Sequence, residues 1–401
     1  MMDFFATINV LYVFIGAILL CATGGFLGSF AVLRRQGLLG DALAHSALPG
    51  IGIAFLVMES KFLPGLLLGA LISGLCGAAV MYFLVYSSKI KMDSAMAAVL
   101  SMFFGLGIVV LTYIQDLPLA AQSGLESFLF GQAAGLVFED VVWIGAVGFA
   151  ALVLVLLFWK ELKLCIFDRD FARSLRLPVK LVDFVFMTLF VTAILISLKT
   201  VGVILTAGIF ITPAASALLV FRKLSLVTAF AALVGGISGG FGVYFSASFN
   251  NLPTGPSIVL FASLFFILIF LLAPKNGLIV KMWARRRQAF RMEGENALKL
   301  KVKSEKLKVS SKISRFLVCR GFVDQSGGLT KEGRREAVKI VEKHRLWECY
   351  LAQRLNLADD HVHREAEEME HFLDDEMVKE LKRVLGNPKF DPHGEPIKLK
   401  L

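Results

Sequence analysis

Long apolar runs dominate the first two thirds of this 401-residue chain. Runs of about 18 residues or more can each cross ~30 Å of hydrocarbon as a helix. Because a helix satisfies its own backbone hydrogen bonds, the runs predict an all-α polytopic membrane bundle of about nine transmembrane helices. The predicted spans are 9–30, 42–58, 62–86, 93–114, 139–159, 182–198, 201–221, 225–247 and 256–273.

The character of the chain changes after Pro274, where the apolar runs stop and charged, helix-compatible sequence begins. This change predicts a transmembrane domain (1–280), a basic juxtamembrane linker (281–312) and a small C-terminal domain (313–401). Imidazole is a common metal ligand, and five of the six histidines lie in the last domain. They are His344, His361, His363, His371 and His393.

Lysine and arginine give a formal net charge of +10, and their distribution predicts the topology. The basic loops follow the odd-numbered predicted spans, whereas the intervening loops carry few cations. Because cytoplasmic loops are the ones enriched in Lys and Arg, we expect the N-terminus outside and the C-terminal domain in the cytoplasm. The five cysteines form no CxxC pair, so they predict neither a disulfide framework nor a cysteine zinc site.

Two ionisable residues, Asp41 and His45, lie at the start of the second predicted span at i, i+4 spacing and therefore share one helix face. An ionisable group at mid-bilayer costs about 2.5–3.5 kcal/mol on insertion scales, so such groups usually face a pathway or cavity. Carboxylate and imidazole suit Mn²⁺, Fe²⁺ or Zn²⁺. The alternative is that Asp41 caps the helix and His45 is hydrogen-bonded within the bundle.

Four stretches of the membrane domain resemble the metal-ion ABC permeases, the membrane subunits of importers for zinc, manganese or iron. They are Gly40–Gly50, Gly124–Gly131, Phe167–Pro178 and Val201–Ala217, within a resemblance over residues ~10–280. The resemblance implies that Asp41 and His45 line the cation path. It also implies that a cytoplasmic loop docks the ATPase through Phe167, Asp168, Phe171, Ala172, Leu175 and Pro178.

The chain has no GxxxxGK[ST] phosphate loop, so it is not expected to hydrolyse ATP. It also lacks an HExxH motif or a nucleophile–base constellation, which argues against a membrane-anchored hydrolase. The resemblance implies three partners: a separate ABC ATPase subunit, an extracytoplasmic metal-binding protein, and a second permease copy in a homodimer or heterodimer. It also implies a multi-pass location in the bacterial cytoplasmic membrane.

The C-terminal domain carries two predicted helices with closely spaced metal-ligand types. His344 and Glu348 are i, i+4, as are His363 and Glu367. Glu367 also shares a face with Glu370 and His371, at i, i+3, i+4 spacing. The spacing allows a metal site, and an ordinary solvated helix face is the alternative.

This domain resembles metal-dependent repressors of the diphtheria-toxin-repressor and manganese-regulator type, from Leu329 to Ile397. The resemblance implies a winged-helix-like and dimerisation domain. It further implies regulatory metal ligands in two sets, the main-site residues Glu367, Glu370 and His371 and the second-site residues His344, Glu348 and His363.

The sequence departs from that repressor family in two places. The best counterpart of the family's first-helix ligands offers Asn296 and Lys299, and a charged lysine has no lone pair to give to a metal. The interval between Asn296 and Ser311 is also shorter than a helix-turn-helix requires, which argues against accurate docking in a DNA groove.

Two functions follow as hypotheses. The first is the membrane subunit of an ATP-driven importer of divalent transition-metal cations, with a cytosolic metal-sensing regulatory domain. The second is a bifunctional permease and metal-dependent DNA-binding repressor. Carboxylate and imidazole donors without thiolate favour Mn²⁺ or Fe²⁺ over Zn²⁺.

Overall fold

The computed structural model describes residues 8–59, 62–117, 131, 135–249, 252–274, 277–303, 310–355, 366–367 and 369–398. The chain divides into two compact units, residues 1–280 and 281–401. The first contains the apolar spans and the second contains the charged C-terminal sequence.

The membrane unit is a bundle of α-helices. In its described residues, nine helices are long and apolar enough to cross a membrane, which confirms the predicted fold class. Two short helices between the fifth and sixth spans lie outside this set. In chain order the helices are α1 (Ile8–Leu33), α2 (Leu39–Met58), α3 (Leu63–Ser87), α4 (Met92–Gln115), α5 (Phe138–Leu157), α6 (Trp159–Phe167), α7 (Arg169–Ser174), α8 (Val179–Thr200), α9 (Val203–Val220), α10 (Leu224–Ser248) and α11 (Thr254–Leu272).

Helices α2, α8 and α10 are the most buried spans, and α5 and α11 the least. Helix α1 packs on α9 and α10, and α2 packs on α3 and α4. Glycines set the closest approaches: a Cβ at Gly28 would lie 1.9 Å from the backbone oxygen of Phe210, and one at Gly50 would lie 2.1 Å from that of Gly69. Small residues are needed there because close van der Waals packing drives helix association in lipid.

The C-terminal unit is helical with two isolated antiparallel bridges, Val323 to Leu329 and Phe390 to Pro396. Its described helices are α12 (Leu278–Lys303), α13 (Ser311–Cys319), α14 (Lys331–Leu355) and α15 (Asp375–Val384).

The segment 281–312, predicted as a linker, contributes to the folded C-terminal unit. Most of it is helix α12, and Ala297 and Leu298 of that helix are buried in one apolar cluster with Leu317 and Ala337. The second half of the segment therefore belongs to the small domain's core.

Candidate functional sites

Asp41 and His45 lie in the first and second turns of α2, so the pair is at one end of this span. The His45 ring packs edge-on against Phe104, with ring centroids 4.8 Å apart. Its Nδ1 is buried and has no hydrogen-bond partner among the described residues. A buried polar atom without a partner is costly, which fits a nitrogen that binds something absent from the protein itself.

The stretches that resemble the metal-ion permeases pack against one another: Gly40 of the first and Gly131 of the second each approach the last, Val201–Ala217. A Cβ at Gly40 would lie 3.4 Å from the Cα of Ala207, so the start of α2 packs closely on α9. Gly131 has φ of +75°, and a Cβ there would lie 2.2 Å from the Val201 carbonyl carbon, so both backbone and space require glycine. Residues 124–130 of that block lie outside the described residues.

The predicted docking loop forms a short helical hairpin, α6 and α7. Asp168 caps α7 by accepting a hydrogen bond from the Phe171 backbone N–H at 2.8 Å. The side chains of Phe167, Phe171 and Leu175 are exposed, whereas Ala172 is buried. Pro178 stands at the N-cap of α8. The loop therefore exposes three large apolar side chains, and its role as a docking site stays a prediction.

A buried carboxylate fastens this hairpin to the bundle. Asp183, in the first turns of α8, pairs with Arg34 at 3.0 Å and through its other oxygen with Arg169 of α7. The Arg34 guanidinium also lies 4.4 Å from the centre of the Phe186 ring. Sequence analysis missed Asp183, although an acid at the start of an apolar span was the signal that could have found it.

Three of the predicted regulatory ligands meet in the C-terminal unit. His344 and Glu348 are buried on α14, with His344 Nε2 3.0 Å from Glu348 Oε1. His344 Nδ1 lies 2.6 Å from Oε2 of the buried Glu370. Burial by itself would lower the pKa of His344, but hydrogen bonds to both carboxylates outweigh it and raise the pKa above its ordinary value.

The other predicted ligands are placed differently. His371 faces α12, with Nδ1 2.6 Å from Glu295 Oε2 and Nε2 3.1 Å from Asn296 Oδ1. Glu367 is exposed, and His363 lies outside the described residues. The assignment of all six residues as metal ligands therefore stays a prediction.

Lys299 lies at the centre of the buried cluster. Its Nζ is 2.8 Å from Glu370 Oε2 and 3.1 Å from His344 Nδ1. Burial would raise the pKa of Glu370, but hydrogen bonds from His344 and Lys299 lower it. In the described parts of the chain no group of three or more His, Cys, Asp or Glu side chains is arranged to hold a metal ion. As placed, the donors surround an ammonium and do not fit a metal.

Comparison with known proteins identifies both units. The ABC 3 transport family model matches residues 7–273. The model described as iron dependent repressor, metal binding and dimerisation domain matches residues 330–399. These matches and the nine apolar helices found among the described residues make the chain a multi-pass membrane protein with a repressor-like C-terminal domain.

Individual relatives agree over most of their length. The manganese transport system membrane protein MntC of Bacillus subtilis is 38% identical over 88% of this chain and 86% of its own. The zinc transport system membrane protein TroC of Treponema pallidum is 42% identical over 73% and 98%. A probable metal transport system membrane protein of Chlamydia trachomatis is 30% identical over 96% and 95%.

Among solved structures, PsaBC from Streptococcus pneumoniae in complex with Fab is similar at a TM-score of 0.58. Its sequence is 30% identical to this chain, and the match covers 66% of this chain and 92% of the other.

Proposed function

The chain belongs to the ABC 3 transport family, and from that premise we propose that it carries Mn²⁺ or Fe²⁺ past Asp41 and His45. It is the membrane subunit of an ATP-driven importer of divalent transition-metal cations, not an enzyme, since the ATPase of such systems is a separate subunit. Two relatives are named for manganese or zinc transport. Carboxylate and imidazole without thiolate favour Mn²⁺ or Fe²⁺, with Zn²⁺ next.

One observation carries the proposed path: the buried His45 Nδ1 without a hydrogen-bond partner among the described residues. It lies one turn from Asp41, where α2 packs closely against α9. A cation moving past this end of α2 would meet an imidazole nitrogen and a carboxylate on one face.

Metal uptake in cells lacking their own importers tests this path. Asp41→Ala and His45→Ala should each abolish Mn²⁺ accumulation while the complex with the ATPase still assembles. Asp93→Ala is the matched control, because Asp93 also lies in the first turn of a membrane helix but is exposed. Normal uptake in either α2 variant would remove that residue from the path.

The family implies an ATPase and a substrate-binding partner, and the α6–α7 hairpin is the proposed docking site for the ATPase. The exposed Phe167, Phe171 and Leu175 would enter a groove of that partner. We propose in addition an extracytoplasmic metal-binding protein that delivers the cation, and a second permease copy that completes the pathway.

The C-terminal domain is proposed to lie in the cytoplasm and to restrain import when internal metal is in excess. Support comes from the basic loops that follow odd-numbered spans and from the match to a metal binding and dimerisation domain. Deleting residues 290–401 should leave transport active but unrestrained at high internal metal. A deletion variant with normal restraint would contradict this role.

The repressor function is the rival candidate. The matched repressor model begins at residue 330 and is described as a metal binding and dimerisation domain, which supports regulation more directly than operator binding. A footprint of the full-length chain in detergent, with and without Mn²⁺, separates the two. Metal-dependent protection of a specific DNA sequence would favour the repressor.

A further inference from the structure

We propose that the ammonium of Lys299 is a built-in cation in the C-terminal domain. It holds the buried cluster together without metal, and it must withdraw before a divalent cation can bind there. The inference rests on the proposed regulatory role of this domain and adds to it the device that sets the metal level to which the domain responds.

The position of Lys299 carries the proposal. The side chains of Lys299, His344 and Glu370 are 9%, 4% and 0% exposed. A buried lysine is rare unless it is paired. Here Nζ contacts both Glu370 Oε2 and His344 Nδ1, and these two atoms are themselves 2.6 Å apart. The ammonium therefore supplies positive charge at the point where an imidazole and a carboxylate converge.

A metal and the ammonium compete for the same atoms. A first-row cation bound to an imidazole nitrogen and a carboxylate oxygen would lie about 2.0–2.2 Å from each. Lys299 Nζ donates to Glu370 Oε2 and lies 3.1 Å from His344 Nδ1, and a charged lysine cannot itself act as a ligand. Metal binding at His344 and Glu370 therefore requires Lys299 to move away.

Two other residues of α12 occupy the ring nitrogens of His371, another predicted metal ligand. Both ring nitrogens of His371 contact this helix, at Glu295 and Asn296. Lys299 lies four residues after Glu295 and three after Asn296, so one face of α12 engages His344, Glu370 and His371 together. In this arrangement α12 contacts both α14 and the segment around Glu370, in addition to the direct contact between His344 and Glu370.

The loss of Lys299 has two expected consequences. Without metal, the carboxylate of Glu370 stays buried with less compensation, so α12 and α14 should lose protection from hydrogen exchange. With metal, the competitor is gone, and the apparent Mn²⁺ affinity should rise by about a hundredfold, the scale on which breaking a buried ion pair changes an equilibrium.

The test uses the full-length chain in detergent, with Mn²⁺ alone as the probe and hydrogen exchange of peptides from α12 and α14 as the local readout. Lys299→Met removes the charge at similar length, and Lys299→Glu adds a carboxylate. Lys301→Met is the matched control, because Lys301 is equally buried on α12 but donates to the Gly327 backbone oxygen.

We expect the wild type and Lys301→Met to show the same protection with and without micromolar Mn²⁺. Lys299→Met should be less protected without metal and regain protection at micromolar Mn²⁺, and Lys299→Glu should show the larger gain. If Lys299→Met does not fold, the wild-type titration still tests the proposal. A gain of hydrogen-exchange protection in wild-type α12 and α14 at or below micromolar Mn²⁺ would overturn it.

Different results would overturn the competitor role of Lys299 and the metal response of the domain. If wild type and Lys299→Met respond at the same Mn²⁺ concentration, Lys299 is no competitor, while the proposed metal response of the domain stands. If neither chain responds at any Mn²⁺ concentration, the pocket binds no metal, and both the competitor and the metal response are overturned.

Discussion

Asp183 offers the sharpest energetic test of the membrane unit. Its two carboxylate oxygens pair with Arg34, at the end of α1, and with Arg169, on the α6–α7 hairpin. Asp183→Asn keeps the size of the side chain and removes its charge. Because one carboxylate joins three segments, this change should loosen the hairpin from the bundle.

The size of the effect follows from burial. The side chains of Arg34 and Asp183 are 6% and 7% exposed. Removing one partner of such a buried pair costs about 3–5 kcal/mol, because the other charge stays buried. The Arg169 side chain is 36% exposed and can turn to water, so its share is at most about 1 kcal/mol. Since asparagine still accepts one hydrogen bond, we expect a loss of about 3 kcal/mol.

Unfolding of the purified chain in mixed micelles measures this loss as a free energy of unfolding. Asp170→Asn is the matched control, because its pair with Arg173 lies on the same hairpin with side chains 90% and 52% exposed. An exposed pair contributes about 0–1 kcal/mol. Equal losses in the two variants would refute the argument that Asp183 anchors the hairpin.

A double-mutant cycle separates the pair from its surroundings. If Arg34 and Asp183 stabilise each other, Arg34→Gln combined with Asp183→Asn should cost less than the sum of the two single changes. Strict additivity would mean that the two residues act independently.

Three further outcomes are expected. Phe171→Asp should uncouple ATP hydrolysis from uptake, because an unpaired carboxylate buried at the ATPase contact costs several kcal/mol; normal coupling would assign docking to another loop. Gly28→Ala should prevent stable folding, because its Cβ would lie 1.9 Å from the Phe210 backbone oxygen. Gly105→Ala is the control: no atom lies within 4 Å of its Cβ, so it should elute like the wild type in size-exclusion chromatography. Burial raises the pKa of the Cys349 thiol to about 11, so maleimide should label the exposed Cys319 far faster than Cys349 at neutral pH. Equal labelling in mass spectra would contradict the burial of Cys349.

The sequence predicted the spans to within a few residues because length and apolar composition alone determine them. The prediction 182–198 corresponds to α8 (Val179–Thr200), and the extra residues include the turn before Asp183. The ionisable pair on α2 followed from i, i+4 spacing. The predicted span 42–58 also placed the pair at the start of that span, and in the structure the two residues lie in the first two turns of α2.

The sequence did not predict the contacts between residues that lie far apart in the chain. Lys299 was recognised as an unsuitable metal ligand, but no pattern placed its ammonium between His344 and Glu370, which lie 45 and 71 residues away. Asp183 pairs with Arg34 across 149 residues. Such pairs depend on how helices pack, and helical periodicity identifies the buried face of a helix without identifying its partner.

Direct contact between His45 and the transported cation can be tested by pulsed electron paramagnetic resonance of Mn²⁺ bound to the purified chain. His45 is the one histidine in the sequence before His344, so replacing the five C-terminal histidines with glutamine leaves a single imidazole. If His45 binds the cation directly, that chain should show nitrogen coupling from a bound imidazole, and His45→Gln should lose it. Bound Mn²⁺ without nitrogen coupling in the chain that retains His45 would contradict it.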